Sequence, residues 1–126
     1  MRNFTQFLES MQFDPQSVVQ AAIQARADEG IAGRATFGDC KAVCNRLASL
    51  LRKLGVVAQL KGGQFICDPN DEIHYDHSWL IVGGDILDPT VDQFFSDLDF
   101  DLSTQTPGVY FSHPECDGDW LTDRYR

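Results

Sequence analysis

The stretch from Asp39 to Gly55 constrains the fold of this chain more than any other. Cys40, Val43, Cys44, Leu47, Leu50, Leu51 and Leu54 recur at the i, i+3, i+4, i+7 spacing of one helix face, with Lys41, Asn45, Arg46, Ser49, Arg52 and Lys53 opposite. Asp39 is placed to cap the helix and Cys40 to start it. Arg52 and Lys53 fall in the last turn, where cations complement the dipole, and Gly55 suits the residue that follows a helix. An apolar stripe this wide has to be buried against a second layer. Upstream, Asp14-Pro15 opens another helix that runs to about Asp28-Glu29-Gly30, with Val18, Val19, Ala22 and Ile23 at helical spacing. A shorter helix is expected over Phe4 to Met11. Gly30, Gly33 and Gly38 mark the residues between as a loop.

Beyond Gly55 the pattern changes to strands. Val56 to Leu60 and Gln64 to Cys67 read as two short runs joined by a turn around Lys61-Gly62-Gly63, and Asp68 to Asp76 as a polar loop. His77-Ser78-Trp79-Leu80-Ile81-Val82, Gly83-Gly84 and Asp85-Ile86-Leu87-Asp88 form the strongest hairpin signal in the chain. Pairing Val82 with Asp85 sets Trp79 opposite Asp88 and leaves His77, at the start of its strand, as a neighbour of that carboxylate. Val91 to Phe95 reads as one helical turn and Gly108 to Phe111 as a further strand, while no element is assigned from Glu115 onward. The fold class expected is α+β, with N-terminal helices packed on a small antiparallel sheet.

A chain of 126 residues has room for one compact core, so residues 1–126 are read as a single domain. No run approaches the roughly 20 apolar residues of a membrane span, and Met1 to Phe7 lacks the apolar run of a signal peptide, so a soluble, cytoplasmic protein is expected. The net charge of −9 is unevenly spread: after Lys61 only Arg124 and Arg126 are basic. An acidic field over the second half argues against nucleic acid as a partner and suits either a basic peptide or amine or simple solubility.

Cys40, Cys44, Cys67 and Cys116 fit neither a disulfide framework nor a metal site. Cys40 and Cys44 share one helix face, and His74-Tyr75-Asp76-His77 has no partner pair at zinc spacing, so no metal and no cofactor is expected. Free thiols are left, and Cys40 differs from the rest. A helix N-terminus concentrates unpaired N–H groups and partial positive charge, which favours thiolate and offers a donor to an oxyanion. A histidine is the usual base for such a thiol, and a carboxylate on its far nitrogen fixes the tautomer. Cys44, one turn inside the helix, reads as a core thiol, His74 as a rim residue and His113 as a loop residue. Phe37 and Trp79 are candidates to line an acyl pocket, Trp79 being equally a core ring. Asp88 either orients His77 or caps the turn Asp88-Pro89-Thr90.

The order Gly38-Asp39-Cys40, Leu50-Leu51-Arg52-Lys53-Leu54-Gly55-Val56-Val57-Ala58, His77-Ser78-Trp79, Asp88-Pro89-Thr90 resembles the transglutaminase-like superfamily over residues 38–90. The resemblance implies a papain-like fold and a thioester mechanism at an amide, with Cys40 as nucleophile, His77 as general base and Asp88 as the residue that orients it. It implies a protein or peptide substrate. Cross-linking members of that superfamily place a tryptophan just before the cysteine loop and another upstream. Here Ala35-Thr36-Phe37 precedes Gly38 and no tryptophan precedes Trp79, so the likeness is to compact microbial peptidases, amidases and deamidases. Transamidation and a non-catalytic binding module that retains the fold are the alternatives.

Overall fold

The computed structural model describes residues 13–126, so the expected Phe4–Met11 helix lies outside the described residues. The chain is α+β. Two helices, α1 (Pro15–Asp28) and α2 (Asp39–Lys53), pack on a four-stranded antiparallel sheet of order β1 (Ala58–Asp68), β2 (Ile73–Val82), β3 (Asp85–Asp88) and β4 (Tyr110–Phe111). A 3-10 helix (Val91–Asp97) follows β3 and a short one (Thr122–Arg124) precedes the last residues. None of the described helices is long and apolar enough to cross a membrane.

Local chemistry fixes both helices. The Asp14 carboxylate accepts from the Gln16 N–H and the Ser17 hydroxyl, each at 3.1 Å, and Pro15 fills the first helical position. At the far end of α2, Gly55 has φ +75°, its N–H bonds the Arg52 carbonyl, and the Val56 N–H bonds the Leu51 carbonyl. These are the two bonds of a Schellman motif. Leu54, expected on the buried stripe, is 56% exposed because the helix ends before the sheet can cover it.

The β2–β3 hairpin has the register the sequence implied, Val82 opposite Asp85 and Leu80 opposite Leu87, with Gly83 and Gly84 both at positive φ. Three other expectations are corrected. Lys61-Gly62-Gly63 is not a turn: β1 runs unbroken from Ala58 to Asp68, and the chain reverses after it, where the Asp68 carboxylate accepts the Asn70 and Asp71 N–H groups. β2 therefore starts at Ile73, which puts His77 in mid-strand, opposite Gly63. The segment after Glu115 is structured as well. Tyr125 bridges to Phe65, and Gln64 and Arg126 exchange backbone bonds at 2.8 and 2.9 Å, so the C-terminal residues strap the outer edge of β1.

Alternation along β2 sorts side chains to two cores. Leu80 and Val82 join Leu87, Val18, Leu47 and Leu51 under the helices, while Trp79 faces the other side with Phe65, Phe94, Tyr110, Leu121 and Tyr125. Gly63 is a glycine because the strap needs it. A Cβ there would collide with the Arg126 carbonyl and lie 2.8 Å from the Trp79 ring, whereas one at Gly62 meets nothing within 4 Å. Gly63→Ala is expected to cost about 1–3 kcal/mol in urea unfolding, as overpacking does. Gly62→Ala should stay within about 0.5 kcal/mol. Equal effects at the two positions would contradict the contact of the strap with β1.

Candidate active site

The loop into Cys40 is held from two sides. The Asp39 carboxylate accepts the Thr36 N–H at 2.7 Å and the Thr36 hydroxyl at 3.0 Å, and the Asp39 N–H returns a bond to the Thr36 carbonyl. Asp39 is thus the first residue of α2 and not its cap. The cap is Gly38, at φ +99°, a backbone that side chains rarely adopt. Further back, the buried Arg26 guanidinium grips both Asp92 oxygens at 3.0 and 2.9 Å and three backbone carbonyls, those of Gly33, Pro89 and Gly108. Asp92 also accepts the Ala35 N–H at 3.2 Å, which ties the loop to the 3-10 helix. Cys40 follows in the first turn of α2, where amide N–H groups have no intrahelical acceptor.

His77 and Asp88 come together because β3 is short. Its ladder with β2 ends at Leu80 and Leu87, and Pro89 has no N–H with which to extend it. The edge of β2 at Ser78 is left open to α2. There the Ser78 N–H bonds the Cys40 sulfur, and the Ser78 carbonyl accepts the Cys44 thiol at 3.6 Å. On the opposite face, His77 Nε2 meets Asp88 Oδ2 at 2.7 Å, neither side chain having any exposed surface. Nε2 is occupied by the carboxylate, so Nδ1 is left to donate to the Cys40 sulfur, with the Gln93 side-chain nitrogen 3.3 Å away.

These contacts polarise the pair. For Cys40, the hydrogen bond from His77 lowers the pKa; burial works against it, and the Ser78 N–H adds to the lowering. For His77, burial alone would lower the pKa, but the charge and hydrogen bond of Asp88, reinforced by Cys40, carry it up to about 9. Burial pushes the other thiols the opposite way from Cys40: Cys44 far up, Cys67 to about 12 and Cys116 to about 11.

The structure therefore brings Cys40, His77 and Asp88 into one line. Phe37 lies at its rim, half exposed, its ring 4.7 Å from Tyr75 and 5.8 Å from Phe94, which stands edge-on to His77. Trp79 is 2% exposed and packs against Tyr125, so its ring backs the site from the core and forms no open acyl-pocket wall. His74 is exposed, as expected of a rim residue, while His113 lies in a loop but is buried. Asp88 serves both roles weighed for it: Oδ2 takes His77, and Oδ1 accepts the Thr90 N–H at 3.0 Å. Sequence reasoning missed Gln93 and Tyr125. Gln93 also bonds the Thr90 carbonyl and hydroxyl, and its place three residues after Thr90 in a helical turn was a usable signal. Tyr125 donates to Asp88 Oδ2 at 2.7 Å from 37 residues away, with no local signal at all. A cavity of about 630 Å³, lined in part by Arg26, Arg34, Asp92 and Phe95, includes none of the three aligned residues.

No family model, curated protein or solved structure matches the chain.

The two titrations have opposite signs in folding. His77, raised from 6.5 to about 9, contributes stability that is complete below pH 6.5 and is lost as pH rises to 9. Cys40, held below its ordinary 9.0, contributes stability that is complete above pH 9.0 and is lost as pH falls. Between 6.5 and 9 the slopes oppose. Cys40→Ala removes one of them, so its unfolding free energy should fall with pH more steeply than that of the wild type, by at most about 1.4 kcal/mol per unit. Parallel slopes in urea titrations at the two ends of this range would contradict the pairing.

Proposed function

We propose that this chain is a compact transglutaminase-like thiol enzyme that transfers the acyl group of an amide through a thioester on Cys40, with the Cys40 helix and the sheet in a papain-like arrangement. The observation that carries the reading is the line from the Cys40 sulfur through His77 to a fully buried Asp88, with 2.7 Å between ring and carboxylate. A structural histidine does not require a buried carboxylate on one nitrogen and a cysteine at a helix N-terminus on the other. A thiolate–imidazolium pair does.

The chemistry follows from the positions. The Cys40 thiolate attacks the amide carbonyl carbon, and the charge that develops on oxygen falls near the first-turn N–H groups of α2, that of Cys40 among them. His77 gives its Nδ1 proton to the departing nitrogen, the C–N bond breaks, and the amine leaves a thioester. Water, losing a proton to the neutral imidazole, then attacks the thioester carbon and restores the thiolate with its imidazolium partner. The product is a free acid: cleavage in a backbone amide makes a peptidase, in a glutamine side chain a deamidase. The exposed face of Phe37 supports an apolar contact beside the scissile group, and the acidic second half of the chain favours a basic protein or peptide.

An activated ester such as p-nitrophenyl acetate, followed by intact-mass spectrometry, tests the reading. A single acyl group is expected on Cys40 and none in Cys40→Ala. Asp88→Asn should acylate at least tenfold more slowly per folded molecule; the equivalent loss in serine triads is about 10⁴. Acylation that persists in Cys40→Ala, or its absence from the wild type, would overturn the proposal. Adding a primary amine to the acylated protein separates hydrolysis, which releases free acid, from transamidation, which releases the amide.

A further inference from the structure

Asp88 has four acceptor positions, and the fold fills all of them. Oδ1 accepts the Thr90 N–H at 3.0 Å and the Thr90 hydroxyl at 3.5 Å, while Oδ2 accepts His77 Nε2–H and the Tyr125 hydroxyl, each at 2.7 Å. Thr90 belongs to the turn that Asp88 itself opens. Tyr125 belongs to the opposite end of the chain and reaches the carboxylate only because the strap bridges Phe65 and pairs Gln64 with Arg126. Its ring is seated edge-on against Phe65 at 5.0 Å and Trp79 at 5.1 Å, which leaves the hydroxyl little freedom to turn away.

We propose that Tyr125 is a positioning residue of the site: by sharing Asp88 Oδ2 with His77, its hydroxyl fixes the plane of the carboxylate and restrains the pull of Asp88 on the imidazolium. A tyrosine that merely filled the core would be satisfied by a backbone group, as its neighbour Tyr110 is. The Tyr110 hydroxyl donates to the Gly118 carbonyl at 2.6 Å and accepts the Leu121 N–H. Burial and the adjacent Asp88 charge hold the Tyr125 hydroxyl protonated far into the alkaline range, so it stays a donor throughout the range in which His77 titrates. The titratable groups facing His77 are Cys40 from α2, Asp88 from the end of β3 and Tyr125 itself, its ring centroid 6.3 Å away. Those facing Tyr125 are Asp88, Tyr110 and Cys44. The rings of Phe65, Trp79 and Phe94 around His77 carry no charge.

The role rests on reading His77 as the base of Cys40, but its test does not use the reaction. In an NMR titration of the His77 ring in the full chain, Tyr125→Phe is expected to raise the midpoint by ~0.5 unit or more, because Asp88 loses a donor that shared its charge. Tyr110→Phe removes a buried hydroxyl of the same kind without touching Asp88 and should leave the midpoint unmoved. An unchanged midpoint in folded Tyr125→Phe, or equal shifts in the two variants, overturns the proposal. If Tyr125→Phe does not fold, the wild-type hydroxyl proton of Tyr125 carries the test. Its resonance should shift with the His77 midpoint, and one that ignores the titration overturns the proposal. A Cys40 that takes no acyl group would end the enzyme reading, with the midpoint shift still supporting the hold of Tyr125 on Asp88. Acylation without the shift would end this proposal alone.

Discussion

A carboxylate without exposed surface is costly to bury unless donors meet both of its oxygens, and Asp88 is such a group. Its position dictates a good deal of the surrounding fold. β3 ends on it, Pro89 prevents the ladder from continuing, and the next residue turns back to bond it. β2 places His77 against one oxygen, and the C-terminal strap brings Tyr125 to the same atom. Removal of any one donor leaves the charge less compensated, which is destabilising by more than the loss of an ordinary surface hydrogen bond. The arrangement that makes the site chemically asymmetric is also one that fixes the end of the hairpin.

The same economy explains why one cysteine differs from the others. All four thiols are free, and in the three buried ones, Cys44, Cys67 and Cys116, burial outweighs whatever would favour a thiolate. Cys44 shares the helix and the neighbourhood of Ser78, yet it meets the carbonyl of that residue, an acceptor, while Cys40 meets the N–H, a donor. One turn of helix and the two ends of one peptide unit thus separate a core thiol from a polarised one. The loop before Cys40 is locked by Asp39 on Thr36 and by the Arg26–Asp92 pair, so the sulfur approaches His77 from a fixed direction.

What was legible in the sequence was local. The α2 stripe, the Schellman end at Gly55 and the two-residue turn at Gly83-Gly84 each depend on residues a few positions apart, and the last of them gives the His77 to Asp88 proximity by counting. Gly62-Gly63 misled because a glycine pair reads as a turn, while the demand it answers comes from Arg126 and Trp79. Asp39 was misplaced by one residue because Gly38, in the left-handed region, can occupy the cap position with no side chain to announce it. Arg26 continues the Val18–Ala22 row on the buried face of α1, but its partners Pro89, Asp92 and Gly108 lie 63 to 82 residues on, and Tyr125 is joined to Asp88 only through the strap. The failures at Gly63, Arg26 and Tyr125 are long-range contacts that no window of sequence contains, and that at Asp39 is a local backbone conformation with no side chain to mark it.

Contact with His77 lowers the pKa of Cys40 while burial raises those of the other three cysteines, a difference that reactivity reads out. Alkylation of the native protein with iodoacetamide between about pH 5 and pH 9, followed by peptide mass spectrometry, tests it most directly, because only the thiolate reacts. Modification is expected at Cys40, with a rate that rises at lower pH than that of an ordinary thiol, and with Cys44, Cys67 and Cys116 unmodified until the protein unfolds. In His77→Ala the rate at Cys40 should fall and acquire the steep rise toward pH 9 of an ordinary thiol. A wild-type Cys40 that follows that ordinary rise, or a Cys44 modified as fast, would contradict it.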